Sequence, residues 1–248
     1  MYIIILYFLF GLILGSFINV IIYRLPNNLS IVKPRSFCPN CKFQIPLYKN
    51  IPIISYLIQK GKCSNCNNKI SKIYPIVELS VGLIWLVGAI YFDSNNDMLY
   101  YSTIASILLS ICFIDYKHFI IPLELSIFCF LFITIDLSIT GNLISHLDGL
   151  LIGSGYLSII FLITWIITKR QALGFGDIQL TLVLGFWFGD FRILLVIFLS
   201  ACIALIYWIL LSINDKIDKN RALPFGSFLS AISILIYPMD LSEFSSFF

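Results

Sequence analysis

Hydrophobic stretches follow one another along most of this chain and predict a protein built from membrane-spanning helices. Eight such stretches are separated by short polar connectors, and most approach the roughly 20 residues that a helix needs to cross a bilayer. They cover residues 2–23, 76–92, 98–114, 119–140, 147–168, 178–188, 193–213 and 223–238. The sixth and the eighth are the shortest. We therefore expect an all-α polytopic membrane protein with about eight transmembrane helices.

The composition agrees with this class. Apolar residues make up 59% of the 248 residues and charged residues only 12%, which lies outside the range of soluble globular domains. The first stretch has no charge before Arg24 and no small-residue cleavage site after it, so we interpret it as a retained helix and not as a signal peptide. We expect no nucleic-acid partner.

The distribution of positive charge predicts the orientation. Of the 16 Lys and Arg residues, all but Arg192 fall in connectors on one side of the predicted bundle, and such a side faces the cytoplasm. Both termini then lie outside, together with Asp240 and Glu243 in the C-terminal tail. Asp115 ends a helix that runs inward, and Asp177 begins one that runs outward. Both acids are therefore expected at the cytoplasmic edge of the membrane.

Asp115 and Asp177 are the main candidates for chemistry. Carboxylates beside lipid are costly and are functional candidates by default. Two carboxylates at one depth would form a dyad that shares a proton, as in aspartic proteases. Gly174 and Gly176 would let a substrate backbone approach the second acid. Two simpler interpretations stay open: Asp177 caps its helix, and Asp115 forms a surface ion pair with a neighbouring cation.

A polar, lysine-rich insertion at residues 26–75 separates the first two hydrophobic stretches. It contains Cys38, Cys41, Cys63 and Cys66 in two C-x2-C pairs with 21 residues between them, a spacing typical of a structural zinc site. A cytoplasmic loop is reducing, so disulfides are not expected, and redox pairs would need a thioredoxin-like context. The basic loop also suits contact with anionic membrane lipid.

These features in register resemble type IV prepilin peptidases over nearly the whole chain. The matching segments are 11–20 with Arg24-Leu25-Pro26, 36–41, 50–57, 61–66, 70–78, Ile114-Asp115 with Ile121-Pro122, Gly174–Asp177, and Pro224-Phe225-Gly226.

The resemblance implies a membrane aspartyl endopeptidase with Asp115 and Asp177 as its catalytic pair. It implies removal of a short basic leader, after a glycine, from prepilins and pseudopilins at the bacterial cytoplasmic (inner) membrane. It further implies methylation of the new N-terminal amine from S-adenosylmethionine, with Glu78 as a weak candidate for cofactor binding. The expected domains are the first transmembrane helix at 1–25, a methyltransferase-associated zinc loop at 26–75, and a seven-helix peptidase domain at 76–248.

Two positions depart from the family's pattern. Leu123 stands where an Asp is usual, and Glu124 behind it is expected to take over that charge. Gln179 stands where a Lys is usual. The chain has no Rossmann-type glycine fingerprint for the adenosyl group, so methylation is expected from the resemblance alone. The competing hypothesis is a non-enzymatic transporter or scaffold whose acids bind ions or protons.

Overall fold

A computed structural model describes residues 2–169, 174–214 and 222–239 of the chain. These ranges are helical apart from turns, loops and two isolated β-bridges, and they contain no strand. The helices are α1 (Tyr2–Arg24), α2 (Ile54–Ile58), α3 (Ile73–Tyr91), α4 (Asn95–His118), α5 (Leu123–Thr140), α6 (Leu147–Thr168), α7 (Phe175–Phe188), α8 (Arg192–Asn214) and α9 (Phe225–Ile236). The all-helical class predicted from the hydrophobic pattern is confirmed.

Helix length and composition support six of the eight predicted membrane spans. Within the described ranges, six helices are long and apolar enough to cross a membrane, namely α1, α3, α4, α5, α6 and α8. α7 and α9 have 14 and 12 residues, and at 1.5 Å per residue they reach only about 20 Å. α7 is bounded by Gly174 and by the left-handed Gly189, and α9 begins directly after Pro224. The prediction of eight spans is therefore not confirmed.

The chain divides into two compact units, with the boundary between Ser110 and Ile111 inside α4. In the first unit, α1 packs along α3. Their backbones approach so closely that a Cβ atom on Gly15 would lie 2.7 Å from the Cα atom of Glu78. Glycine at this position therefore sets the separation of the two helices.

The second unit is built around α7, which packs against α5, α6, α8 and α9. Leu180, Leu184 and Trp187 of this helix are fully buried. The indole of Trp187 stacks on the ring of Tyr237 just after α9, with the ring centroids 4.0 Å apart. α7 is thus the central element of its unit although it is short.

Several residues that carry the orientation prediction lie outside the described ranges. They are Arg170, Lys216, Lys219 and Arg221 on the predicted inner side, and Asp240 and Glu243 on the predicted outer side.

Candidate functional site

Asp115 lies in the last turn of α4 and is only 5% exposed. Its Oδ2 atom accepts a hydrogen bond from the backbone N–H of Ser227 at 2.7 Å and lies 3.0 Å from the Ser227 Oγ. Ser227 is in the first turn of α9, where backbone N–H groups have no partner within the helix. The partial positive charge of this helix terminus offsets the unfavourable position of a carboxylate at the C-terminal end of α4.

Asp177 lies in the first turn of α7, in the same compact unit. Its Oδ2 atom accepts a hydrogen bond from the backbone N–H of Gly174 at 3.1 Å. The carboxylate also interacts with the backbone N–H of Gly226 and is close enough to Asp115 for the two charges to repel each other. The structure thus brings the two predicted acids together, and the consecutive amides of Gly226 and Ser227 each face one of them.

The two simpler interpretations of these acids fare differently. Asp177 does cap α7, since its side chain bonds the amide that precedes the helix. Asp115 forms no ion pair within the described ranges, where Lys117 is exposed. A cap and a place in a dyad are compatible, because one carboxylate has two oxygens with several acceptor positions.

Ile121 fills the space between the two short helices. A Cβ atom on Gly176 would lie 3.1 Å from the Ile121 Cβ, and one on Gly226 would lie 2.6 Å from the Ile121 Cδ1. The absence of side chains at these glycines therefore allows α7 and α9 to pack on Ile121 beside the acids. Gly174 differs, since it is exposed and a Cβ there would lie 3.3 Å from the Asp177 Oδ2 and 3.9 Å from the Gly176 N atom. With respect to the described residues, open space for a substrate backbone is found at Gly174 and not at Gly176.

The positions that depart from the family's pattern are also placed by the structure. Leu123 and Glu124 are exposed in the first turn of α5. The Gln179 side chain is on α7, and its Nε2 atom is buried and has no hydrogen-bond partner among the described residues. Ser227 was not selected from the sequence. The signal that marks it is a small hydroxyl residue in the first turn of a helix that starts after proline.

The four predicted cysteines form one cluster in the first unit. The Sγ atoms of Cys38, Cys41, Cys63 and Cys66 all lie within 4.8 Å of one another. Cys38 Sγ is 3.9 Å from Cys66 Sγ, and Cys41 Sγ is 4.0 Å from Cys63 Sγ. Tetrahedral zinc with bonds of about 2.3 Å requires sulfur separations of about 3.8 Å. The cluster therefore fits a single tetrahedral metal ion.

The backbone repeats itself around the two cysteine pairs. Lys42 and Asn67, each directly after a pair, have φ values of +58° and +56°. Their N–H groups donate to the carbonyls of Cys38 and Cys63, both at 2.9 Å. Each pair is thus a tight turn that directs both of its sulfurs to one point.

Hydrogen bonds to sulfur favour thiolates in this cluster. The backbone N–H of Phe43 and the side-chain amide of Asn65 lower the pKa of Cys41 to about 6. Backbone N–H groups likewise lower the pKa of Cys63. Burial raises the pKa of Cys38 to about 11. A bound cation would supply the charge that keeps the Cys38 sulfur ionised.

Glu78, on α3, holds the loop in place. It is 8% exposed, and its Oε2 atom accepts the backbone N–H of Ile53 at 2.7 Å. Its carboxylate also bonds the side chain of Ser16. Ile53 has a φ of +60°, a conformation that costs a β-branched residue energy, so the bond to Glu78 stabilises a strained position.

Arg24 fixes the start of the loop to the end of α1. Its guanidinium donates to the carbonyls of Ser30 at 2.7 Å and Pro34 at 2.6 Å, and it is 4% exposed. A cavity of about 380 Å³ opens beside it and is lined mainly by apolar side chains, together with Arg24, Arg35, Ser36 and Asn50 and no acidic residue.

Comparisons with known proteins cover most of the chain. The bacterial peptidase A24 N-terminal domain matches residues 9–92, and the type IV leader peptidase family matches residues 102–209. A prepilin leader peptidase/N-methyltransferase of Bacillus subtilis is 34% identical, over 93% of this chain and 92% of the relative. Proteins of the same name from Legionella pneumophila and Dichelobacter nodosus are 31% and 29% identical, over 89% and 97% of this chain and 86% and 93% of theirs. No solved structure matches the chain significantly.

Proposed function

This chain belongs to the type IV leader peptidase family, and from that membership and its paired carboxylates we propose that it is a membrane aspartyl endopeptidase with Asp115 and Asp177 as its catalytic pair. Its substrates are prepilins and pseudopilins, from which it removes a short basic leader after a glycine. The observation that carries this proposal is the pair of consecutive amides, Gly226 and Ser227, that face the two carboxylates. Family membership does not favour the transporter or scaffold hypothesis.

The paired acids are suited to general acid–base hydrolysis. The ionised carboxylate takes a proton from water, and the oxygen of that water bonds to the peptide carbonyl carbon. The neutral carboxyl group gives its proton to the carbonyl oxygen at the same step. The C–N bond of the tetrahedral intermediate then breaks, and the leaving amine receives a proton from the dyad. The burial of Asp115 keeps bulk water from screening these charges.

We place the dyad at the cytoplasmic face of the bacterial inner membrane, with both termini outside. The bias of Lys and Arg towards one set of connectors supports this orientation. The six long apolar helices make the protein a multi-pass membrane protein.

We propose that the four-cysteine cluster binds zinc as a structural ion. Four thiolates at tetrahedral separations form a closed site with no open position for a substrate, as in other structural zinc sites. The loop at residues 26–75 has few buried apolar residues, so a bound ion would supply much of its stability.

We propose that the enzyme also methylates the new N-terminal amine, as the names of its relatives state for those proteins. S-adenosylmethionine would supply the methyl group. Two candidate places do not fit this donor: the cavity beside Arg24 has no acid for a sulfonium cation, and Glu78 already bonds Ile53. We therefore propose that Glu78 acts indirectly, by holding the loop in place. The loop at 26–75 is then the methyltransferase-associated element, between the helix at 1–25 and the peptidase region at 76–248.

We propose that the loop rests on anionic membrane lipid. Residues 26–75 contain eight Lys and Arg and no Asp or Glu. The turn Leu47–Lys49 packs on α2, where the Gln59 side chain donates to the Lys49 carbonyl at 3.4 Å. Together these two elements expose a set of large apolar side chains, which we name the apolar loop face: Leu47, Tyr48, Ile54, Leu57 and Ile58. An apolar face within a basic segment beside two membrane helices is typical of interfacial contact.

A cleavage assay in detergent tests the main proposal. The substrate is a peptide with a basic leader, glycine at the scissile position and phenylalanine after it, incubated with and without S-adenosylmethionine. Mass spectrometry reads leader loss and the methyl increment separately. We expect cleavage by the native protein and none by Asp115→Asn or Asp177→Asn, while Asp148→Asn, on the predicted outer side, stays active. Cleavage by either of the first two folded variants would remove that residue from the dyad.

A further inference from the structure

The Ser227 hydroxyl lies between two acceptors of different kinds. Ser227 is 3% exposed. Its Oγ atom is 2.9 Å from the backbone carbonyl oxygen of Cys112 and 3.0 Å from the Oδ2 atom of Asp115. The Ser227 N–H separately donates to the same Oδ2 atom at 2.7 Å. A hydroxyl group has one hydrogen and two lone pairs, so it donates to only one of these acceptors at a time.

The two directions of the hydroxyl correspond to the two protonation states of Asp115. When Asp115 is ionised, the hydroxyl donates to Oδ2, and this oxygen then has two donors. When Oδ2 carries a proton, the hydroxyl turns to the Cys112 carbonyl, and Oγ accepts the carboxyl proton. Both arrangements keep the Ser227 hydroxyl and the Asp115 Oδ2 atom hydrogen-bonded without movement of a heavy atom.

We propose that Ser227 is a positioning residue that holds Asp115 through Oδ2 in both of its protonation states and leaves Oδ1 free to face water and substrate. This inference rests on the proposed role of Asp115 in catalysis. A general acid–base group must change its protonation during each turnover, and a partner that suits both states keeps the geometry constant while it does so.

Ser227 differs from Ser233, which is also buried on α9. The Ser233 hydroxyl donates to the carbonyl of Leu229 in its own helix at 2.8 Å, the usual bond to the residue four positions earlier. For Ser227 that earlier residue lies before the helix begins, so its hydroxyl bonds across to α4 instead. Ser233→Ala is therefore a matched control for the loss of one buried serine hydroxyl from the same helix.

Among the residues that the structure describes, few titratable groups lie on the elements around Asp115. Asp177 faces it from α7, and Cys112 lies one turn earlier on its own helix. Lys117 and His118 follow it on α4, and Glu124 is exposed on α5. α9 carries no titratable residue between Phe225 and Ile236. A change in pH dependence on removal of the Ser227 hydroxyl therefore reports on the dyad itself.

The test compares Ser227→Ala, Ser227→Thr and Ser233→Ala in the cleavage assay across pH. Alanine keeps the N–H but removes the hydroxyl. We expect kcat to fall about 10-fold with KM within about twofold, since a hydrogen bond to a charged group is lost. We expect the acidic limb of the pH–rate profile to move to higher pH by about one unit, because a carboxylate with one donor fewer keeps its proton longer. Ser227→Thr should restore both values, and Ser233→Ala should match the native protein.

Several outcomes would overturn this inference. One is a Ser227→Ala variant with native kcat and native pH limbs. Another is a folded Ser227→Thr variant as impaired as the alanine variant, which would assign the effect to packing. If Ser227→Ala does not fold, Ser227→Cys replaces it, because a thiol is similar in size to the hydroxyl but is a weaker donor. A native pH–rate profile in Ser227→Cys would also overturn the inference. Asp115→Asn is measured in the same assay. If this variant cleaves the peptide, the proposed function itself is wrong. If it is inactive while Ser227→Ala behaves like the native protein, only the proposed role of Ser227 is wrong.

Discussion

Gly226 packs so closely against Ile121 that a Cβ atom added to the glycine would lie 2.6 Å from the Ile121 Cδ1. The same Cβ atom would lie 3.2 Å from the Oδ2 atom of Asp115. The N-terminal turn of α9 can therefore reach the two carboxylates only because this position has no side chain. Small displacements here separate the Ser227 and Gly226 amides from the acids that they support.

The first prediction is that Gly226→Ala strongly reduces cleavage. The added methyl group must push α9 away from Ile121, and the loss of two supporting amides should lower kcat by about 100-fold. Leader removal is measured by mass spectrometry alongside thermal unfolding of the detergent-solubilised protein. Gly155→Ala is the matched control, since a Cβ on that helical glycine would meet nothing within 4 Å. Native activity in Gly226→Ala would show that the position of α9 is not critical.

The helical elements could be predicted because each leaves a local signal. The span predicted at residues 98–114 is the core of α4, which continues from Asn95 to His118 because polar residues can extend a helix beyond the hydrocarbon. α7 begins at Phe175, three residues before its hydrophobic stretch, since Gly174 and Asp177 close its first turn. Hydrophobicity alone does not report such caps, although it did mark the stretches that become α7 and α9 as the shortest two.

The candidate site was predictable only in part. The cysteine cluster could be predicted from the spacing of the cysteines, because each C-x2-C pair forms its own turn. The fold then needs only to bring these two turns together. The contact between Asp115 and Ser227 joins residues 112 positions apart, and no local pattern specifies which helix terminus faces which acid. Glu78 was singled out by resemblance, whereas its bond to the strained Ile53 follows from tertiary structure alone.

The second prediction concerns the metal. Cys38→Ser or Cys63→Ser should remove bound zinc, measured by elemental analysis of the purified protein, because three thiolates and a hydroxyl bind the ion far more weakly. We expect methylation of the product peptide to be lost and leader cleavage to continue, since the dyad lies in the other compact unit. Cys202→Ser, at a cysteine outside the cluster, should keep all three properties. Loss of cleavage together with methylation would instead make the loop a folding element for the whole protein.

The third prediction addresses the departure at Gln179. Gln179→Lys places a cation two residues from Asp177, and a nearby positive charge favours ionised carboxylates. Both limbs of the pH–rate profile for cleavage should therefore move to lower pH, by up to about one unit.

Gln179→Met is the neutral control, expected to keep the native profile. It should also unfold at a slightly higher temperature, because it removes a buried amide nitrogen that has no partner in the described part of the chain. Identical pH–rate profiles for Gln179→Lys and the native protein would exclude an electrostatic influence of this position on the dyad.

The fourth prediction tests what covers the apolar loop face. A photo-crosslinking benzoylphenylalanine at Tyr48 or Leu57 should attach to lipid when the full chain is placed in nanodiscs, since both side chains are exposed beside a basic segment. The yield should rise when phosphatidylglycerol is mixed into phosphatidylcholine, because the loop has eight cations and no acid. The same group at Ser64, an exposed polar position between two cysteines, should give little lipid adduct.

Crosslinks from Tyr48 and Leu57 to an added prepilin, without lipid adducts, would assign this face to the substrate and contradict the lipid proposal. Equal yields in the two lipid mixtures would leave the apolar contact but remove the role of charge.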